Sequence, residues 1–256
     1  MKRAFGMRSA SAFGAAAMAF GLAGTASAQV ADWTQGWTGQ ATLYAWLPAI
    51  TGAQQAPDGE PLVNLDNADV LDAIDMAFMG AAEARRGKVG FLFDAVYADL
   101  SQKGTWVQGR LDTKVGTKLG VYSAAAFYRV HEADRTFVDV YAGARYFDTQ
   151  TTFELNTVRA DHSRDVDISW TDGIVGLRGG MPLSERWSLS GRADVGGFNA
   201  DSDLSWQIYG GANYAFSDHW TGTIGYRYMS IEYAATDDAK LDIDVQGPLF
   251  GITYVF

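Results

Sequence analysis

The 256-residue chain carries 30 acidic against 20 basic residues, a formal net charge of −10, and no cysteine. The charge argues against nucleic acid and anionic inner-leaflet lipid as partners. The missing cysteines exclude a disulfide framework, so a large folded unit or a closed sheet must supply the stability.

At the N-terminus Lys2, Arg3 and Arg8 precede an apolar stretch from Ser11 to Leu22 and the small-residue run Ala26-Ser27-Ala28. This is the layout of a secretory signal peptide. Its apolar core is too short for the roughly 20 residues that a membrane helix needs. Residues 1–28 are therefore expected to be removed, leaving 29–256 as one domain. Beyond Ala28 every apolar run is broken within about ten residues by a charge or a Gly-rich turn, which excludes a helical membrane protein.

The rest alternates with period two. Val138, Val140, Ala142, Ala144 and Tyr146 interleave with Asp139, Tyr141, Gly143 and Arg145. Leu204, Trp206, Ile208, Gly210, Ala212, Tyr214 and Phe216 interleave with Ser205, Gln207, Tyr209, Gly211 and Asn213. One face suits lipid and the other does not. Such segments predict strands at 37–50, 74–86, 88–101, 112–130, 135–152, 166–182, 187–199, 203–216, 220–234 and 241–256. The expected fold is all-β, a closed antiparallel transmembrane β-barrel of ten strands, with eight or twelve as alternatives. The 29 Gly, 8 Trp, 12 Tyr and 14 Phe with only 5 Pro fit its turns, tight corners and aromatic girdles.

The connections fall into two alternating kinds. Short polar turns are expected at Arg86-Gly87, His131 to Asp134, Ser184-Glu185 and Ser217-Asp218, and mostly longer links near 51–73, 102–111, 153–165, 200–202 and 235–240. In bacterial barrels short turns are periplasmic and longer loops external, which places both termini in the periplasm of an outer-membrane protein. In the longest link Leu65, Val70, Leu71, Ile74 and Phe78 recur near helical spacing, so a short surface helix and an ordinary loop both remain open. Trp37, Trp46, Trp106, Trp170, Trp187, Trp206 and Trp220 lie close to strand ends and are expected to form interfacial belts.

A soluble β-sandwich would also show period-two strands. The C-terminus points away from it. Phe250, Ile252, Tyr254 and Phe256 form an alternating apolar set that ends on an aromatic, and this resembles the signal by which the barrel-assembly machinery recognises its clients. Longer stretches resemble a family of small proteobacterial outer-membrane β-barrel proteins, mostly without an assigned activity. They are Leu43 to Gly52 (LYAWLPAITG), Phe78 to Leu100, Gly143 to Phe147 (GARYF), Gly176 to Gly197, Ser202 to Trp206 (SDLSW) and Gly225 to Met229 (GYRYM). The resemblance implies a barrel and no particular chemistry. Asn199-Ala200-Asp201 departs from it where such sequences are Gly-rich.

On the inward face the alternation places Glu83, Arg85, Asp94, Asp139, Arg145, Asp172, Arg178, Arg192, Asp194 and Arg227, five acidic and five basic. Equal numbers of both signs read as a cross-strand charge network rather than as a selective channel, whose lining favours one sign. Ten strands also sit near the size at which side chains fill a barrel. A largely filled lumen with a structural or envelope role, or a narrow pore, is the expected function. A small-solute porin-like channel and a surface-loop adhesin are the alternatives.

Catalysis, metal and cofactor chemistry find little support. Enzymes among such barrels, omptin-type proteases and lipid A deacylases, use His near the external mouth, and of His131, His162 and His219 only His162 lies in a predicted external link. Its neighbours Asp161, Ser163 and Asp165 form no matched motif. No zinc spacing, P-loop or dinucleotide fingerprint occurs, and no cofactor is expected. The expected partners are outer-membrane lipid, lipopolysaccharide and the assembly machinery. Divalent cations could meet the external carboxylates Asp58, Glu60, Asp66, Asp69, Asp237 and Asp238, although solvated acidic loops are the commoner explanation. Asp242 and Asp244 carry the same ambiguity.

Overall fold

The computed structural model describes residues 36–54, 61–106, 111–157, 161–197, 204–236 and 239–256. The expected signal peptide, the carboxylates Asp58, Glu60, Asp237 and Asp238, and the Asn199-Ala200-Asp201 segment lie outside them. The described elements are β1 (Trp37–Trp46), β2 (Ala49–Gln54), β3 (Pro61–Leu65), α1 (Asn67–Ala73), β4 (Ile74–Arg86), β5 (Val89–Trp106), β6 (Leu111–Ala133), β7 (Thr136–Thr157), β8 (Asp161–Pro182), β9 (Trp187–Gly196), β10 (Leu204–Ala215), β11 (Trp220–Thr236) and β12 (Ala239–Val255).

Every described pairing is antiparallel, and β1 hydrogen-bonds both to β4 and to β12, which closes the sheet. β1 and β2 are one stave. Both pair with β12 in the same register, Trp46 opposite Leu249 and Ala49 opposite Gln246. The interruption falls where Pro48 faces the Gly247-Pro248 step, because two prolines without N–H groups cannot maintain the ladder. Leu47 still donates its N–H to the Pro248 carbonyl at 3.0 Å. Gly247 is needed here, since a Cβ on it would fall 2.0 Å from the Leu47 carbonyl oxygen. Counting this stave once gives a closed barrel of ten strands, as expected from the alternation.

Beyond the ten staves, β3 pairs with β2 as a short hairpin and leads into α1. Asp66 caps that helix, accepting from the N–H groups of Ala68 (2.8 Å) and Asp69 (2.9 Å), while the Asp69 carboxylate accepts from the Asp66 N–H (3.1 Å). This reciprocal capping box starts a helix of 7 residues that buries Val70 and Ala73. Of the residues at helical spacing, Leu65 ends β3, and Ile74 and Phe78 belong to β4.

The links expected at 102–111 and 153–165 are a correction, because most of their residues continue the strands. β6 runs 23 residues and β7 and β8 run 22 each, against the roughly 9–11 that a tilted strand needs to cross hydrocarbon. The extra length includes Gln102-Lys103-Gly104-Thr105 on β5 and Asp161-His162-Ser163-Arg164-Asp165 on β8, whose sequences have no apolar alternation to reveal a strand.

The turns occupy the opposite end. The one expected at His131 to Asp134 sits one step later, at Asp134-Arg135, with φ of 50° and 66°. That is the left-handed pair of a type I′ hairpin, in which Gly is preferred. Arg135→Gly is expected to raise stability by about 0.5–1 kcal/mol. The left-handed conformation costs an L-residue roughly 1–2 kcal/mol, partly offset by the greater chain entropy of glycine. The urea midpoint of the refolded barrel measures it; a fall would mean that the Arg135 contact to the Glu185 carbonyl (3.5 Å) matters more. Leu183-Ser184-Glu185-Arg186-Trp187 and Phe216-Ser217-Asp218-His219-Trp220 build two equivalent turns. In each, the serine Oγ accepts from the tryptophan N–H, at 3.1 and 3.2 Å.

Outside, the alternation reads directly as exposure. Val138, Val140, Ala142, Ala144 and Tyr146 are exposed, whereas Asp139, Tyr141 and Arg145 are buried. Two groups of ring contacts lie near the turn end, Trp187 with Tyr214 at 4.9 Å, and Trp220 with Tyr254 at 4.9 Å and Tyr254 with Phe256 at 5.1 Å. The belt assignment needs correction at Trp46 and Trp170, which are buried on the inward face. Nearness to a strand end ignores facing, and both lie an even number of residues from inward-facing Tyr44 and Asp172. The Trp106 side chain lies outside the described residues.

Candidate functional site

The inward side chains stack in three levels. Nearest the turns, Arg178 on β8 reaches across the barrel to β4, donating from both Nη atoms to Glu83 (2.7 and 2.9 Å), and its Nε donates to Asp139 (3.0 Å). Arg129 shares Asp139, with Nε 2.8 Å from Oδ1, and also meets Glu132 at 3.1 Å. Arg85 stands 3.8 Å from Glu132. The Arg129 and Arg178 guanidinium groups lie over aromatic rings, Phe137 at 4.3 Å and Phe127 at 4.2 Å. Cation–π contact of this kind favours the charged form where water is scarce.

Above lies a belt centred on Asp194. Its carboxylate accepts from Arg145 Nη2 (2.7 Å), the Tyr141 hydroxyl (2.5 Å) and Gln207 Nε2 (2.5 Å), with Arg192 Nε at 3.3 Å. Arg145 and Asp194 side chains are both fully buried. The belt continues through Gln207 Oε1, which accepts from Arg227 Nε (2.9 Å), to Asp94, which faces Arg227 at 3.4 Å and accepts from the Tyr44 hydroxyl (2.8 Å). Asp172 stands opposite Arg145 in register and accepts from Ser205 at 2.9 Å. Desolvating so many charges is unfavourable unless each is paired and hydrogen-bonded, which this belt accomplishes for its carboxylates.

Furthest from the turns the interior is apolar. Trp46, Met79, Val96, Val121, Phe147, Trp170, Met229, Ile231 and Leu249 form one buried cluster. Phe147 and Trp170 stack with centroids 4.5 Å apart. Six of the nine lie two or four residues from an inward charge, Val96, Phe147, Met229 and Ile231 after it and Met79 and Trp170 before it, so the same alternation locates them.

All ten inward charges expected from sequence therefore point into the barrel and contact one another or neighbouring polar groups. Sequence reasoning missed Arg129, Glu132 and Tyr44, and it placed Tyr141 and Gln207 on the non-lipid face without giving them a part in the charge network. Arg129 keeps the parity of the buried Ser123, Ala125 and Phe127 on its own strand, so alternation points it inward. For Glu132 the cause is local: the β6–β7 register slips between Arg129 and His131, and this bulge shifts the phase so that an even-numbered residue meets Arg129. The tyrosines and Gln207 carried a signal in their parity alone.

The remaining candidates stay apart from this interior. His131 and His219 are exposed near the turn end, where His219 Nδ1 lies 2.9 Å from the Val255 carbonyl. The His162 side chain lies outside the described residues. Asp66 and Asp69 engage each other's backbone at the cap of α1. Phe250, Ile252 and Phe256 are exposed on the outer face of β12.

No protein-family model and no curated protein matches the chain. Solved structures do. The outer membrane protease OmpT from Escherichia coli is similar with a TM-score of 0.52 at 10% identity, covering 86% of this chain and 96% of that one. The translocator domain of the autotransporter NalP from Neisseria meningitidis follows at 0.43 and 13%, with 86% and 88% covered. At such identities the likeness is one of fold: this chain has the fold of the small bacterial outer-membrane β-barrels.

Proposed function

We propose that this protein is a bacterial outer-membrane barrel whose lumen is closed at mid-height, a structural component of the envelope rather than a diffusion channel. The observation that carries the reading is the Arg145 to Asp194 pair, with both side chains fully buried in the barrel interior. A water-filled path would wet them. The apolar cluster around Phe147 and Trp170 thickens the barrier, because ions do not cross a dry constriction readily.

In this reading the short turns lie in the periplasm, with the longer hairpins outside. The exposed apolar side chains meet lipid and lipopolysaccharide. Phe250, Ile252, Tyr254 and Phe256 offer the assembly machinery an outward row on β12. The length of the β5–β6 and β7–β8 hairpins favours a second reading, in which the closed barrel displays them to a surface partner.

Single-channel recording of the refolded chain in a planar bilayer tests the proposal. A silent membrane is expected. Steady steps matching a pore wider than about 10 Å, the regime of larger porin-like barrels, would overturn it. Deleting residues 102–115 tests the second reading, with a barrel that still folds but no longer binds cells as the supporting result.

A further inference from the structure

Between the turn end and the Asp194 belt the barrel holds an open cavity of about 680 Å³, lined out to Arg135 and Pro182. We infer that it is a binding site for a small hydroxylated carboxylate, of the sugar-acid type. The volume lies within the range of small-molecule sites, roughly 300–1,000 Å³. Its lining is unlike the chain as a whole. Six arginines, Arg85, Arg129, Arg135, Arg178, Arg192 and Arg227, face it together with two carboxylates, Glu83 and Asp94, in a protein of net charge −10.

The carboxylates that balance the arginines stand behind them. Asp139 and Asp194 side chains are 0% exposed, whereas those of Arg178 and Arg192 retain 15% and 18%. A solute in the cavity thus meets Arg178 and Arg192 together with Glu83, which is as exposed as Arg178 at 15%. Arg178 and Arg192 are directly opposite in the β8–β9 register, and Tyr209 sits between Arg192 and Arg227 on β10. Like charges on adjacent strands repel each other, so this row is unfavourable in isolation. The Arg178 fork is already held by Glu83 and Asp139, whereas Arg192 Nη2 has no hydrogen-bond partner among the described residues, so an anion bound against Arg192 relieves the repulsion and supplies that acceptor.

Toward the mouth the same wall changes chemistry. Ser190 and Ser188 precede Arg192 on its face of β9, Asn213 is opposite Ser188, and Thr223 is opposite Asn213. Asn213 is held in one orientation, accepting from the Thr223 hydroxyl at 2.8 Å and donating to Ser190 Oγ at 3.1 Å. Two residues of strand separate Ser190 from Arg192, about 7 Å, which is close to the length of a six-carbon acid. A carboxylate at Arg192 therefore brings hydroxyl groups to Ser190, Asn213 and Thr223, which can both donate and accept.

Isothermal titration calorimetry on the refolded barrel in detergent, with glucuronate as probe, tests the inference. Glucuronate is expected to bind with a Kd of about 1 mM or tighter, and glucose, glucosamine and inorganic phosphate at least about tenfold more weakly. Arg192→Gln should weaken glucuronate by about tenfold or more, and Asn213→Ala by a smaller factor, about threefold. No heat up to about 20 mM glucuronate would overturn the site, as would phosphate binding equally well. If Arg192→Gln does not refold, Asn213→Ala and the glucose comparison decide, and unchanged affinity in the first or equal affinity in the second overturns it. The site rests on the closed-lumen reading only for the number of mouths. A barrel that conducts yet binds glucuronate would sink the one and leave the other standing.

Discussion

Asp194→Ala is expected to destabilise the barrel by about 3–5 kcal/mol, the range for removing one partner of a buried ion pair. Arg145 has no exposure to water, and its Nη2 donates to Asp194 at 2.7 Å. The substitution leaves that charge behind and also strips an acceptor from Tyr141 and Gln207. Asp194→Asn should fall between, because it keeps an acceptor but not the charge. Arg145→Met combined with Asp194→Leu should recover most of the loss, since apolar groups of similar volume often replace a buried pair at little cost. Urea unfolding in lipid vesicles, followed by tryptophan fluorescence, reads all three. A loss below about 1 kcal/mol for Asp194→Ala would mean that Arg145 transfers to Asp172, which stands opposite it in register.

Phe147→Ala with Trp170→Ala carries the second large effect. The two rings stack at 4.5 Å inside the apolar cluster, and each truncation of a buried aromatic costs about 3–5 kcal/mol. The pair should cost less than the sum because the rings share a contact. The void alone is expected to leave the bilayer silent, as the Arg145 and Asp194 layer lies below it. Adding Arg145→Ser and Asp194→Ser should produce steps, provided that enough barrel still refolds to be counted by its heat-modifiable mobility. Steps from the aromatic pair alone would locate the barrier wholly in the apolar cluster.

The division of labour between sequence and fold is visible residue by residue. Period-two alternation is a local property, because successive side chains on a strand point to opposite faces whatever the neighbours are. It was enough to number the staves, to send Asp139, Arg145 and Arg178 inward, and to place Val138, Val140 and Tyr146 outside. Pro48 and Pro248 were visible too, though not that they would lie one register step apart on neighbouring staves. Where both faces are polar, as in 161–165, alternation falls silent and the length of the hairpins was lost.

Tertiary structure alone decided which charges meet. Arg178 and Glu83 are 95 positions apart, and Arg227 and Asp94 are 133 apart. No local pattern encodes such distances, which follow from closing the sheet and from the register of each intervening ladder. A single bulge between Arg129 and His131 shifted the phase that brings Glu132 to Arg129, and facing rather than position along the strand drew Trp46 and Trp170 inside. The sequence by itself determined the class of barrel and the inward set of charges. Only the closed sheet decided that those charges form a belt, that an apolar cluster lies beyond it, and that a basic cavity remains beneath.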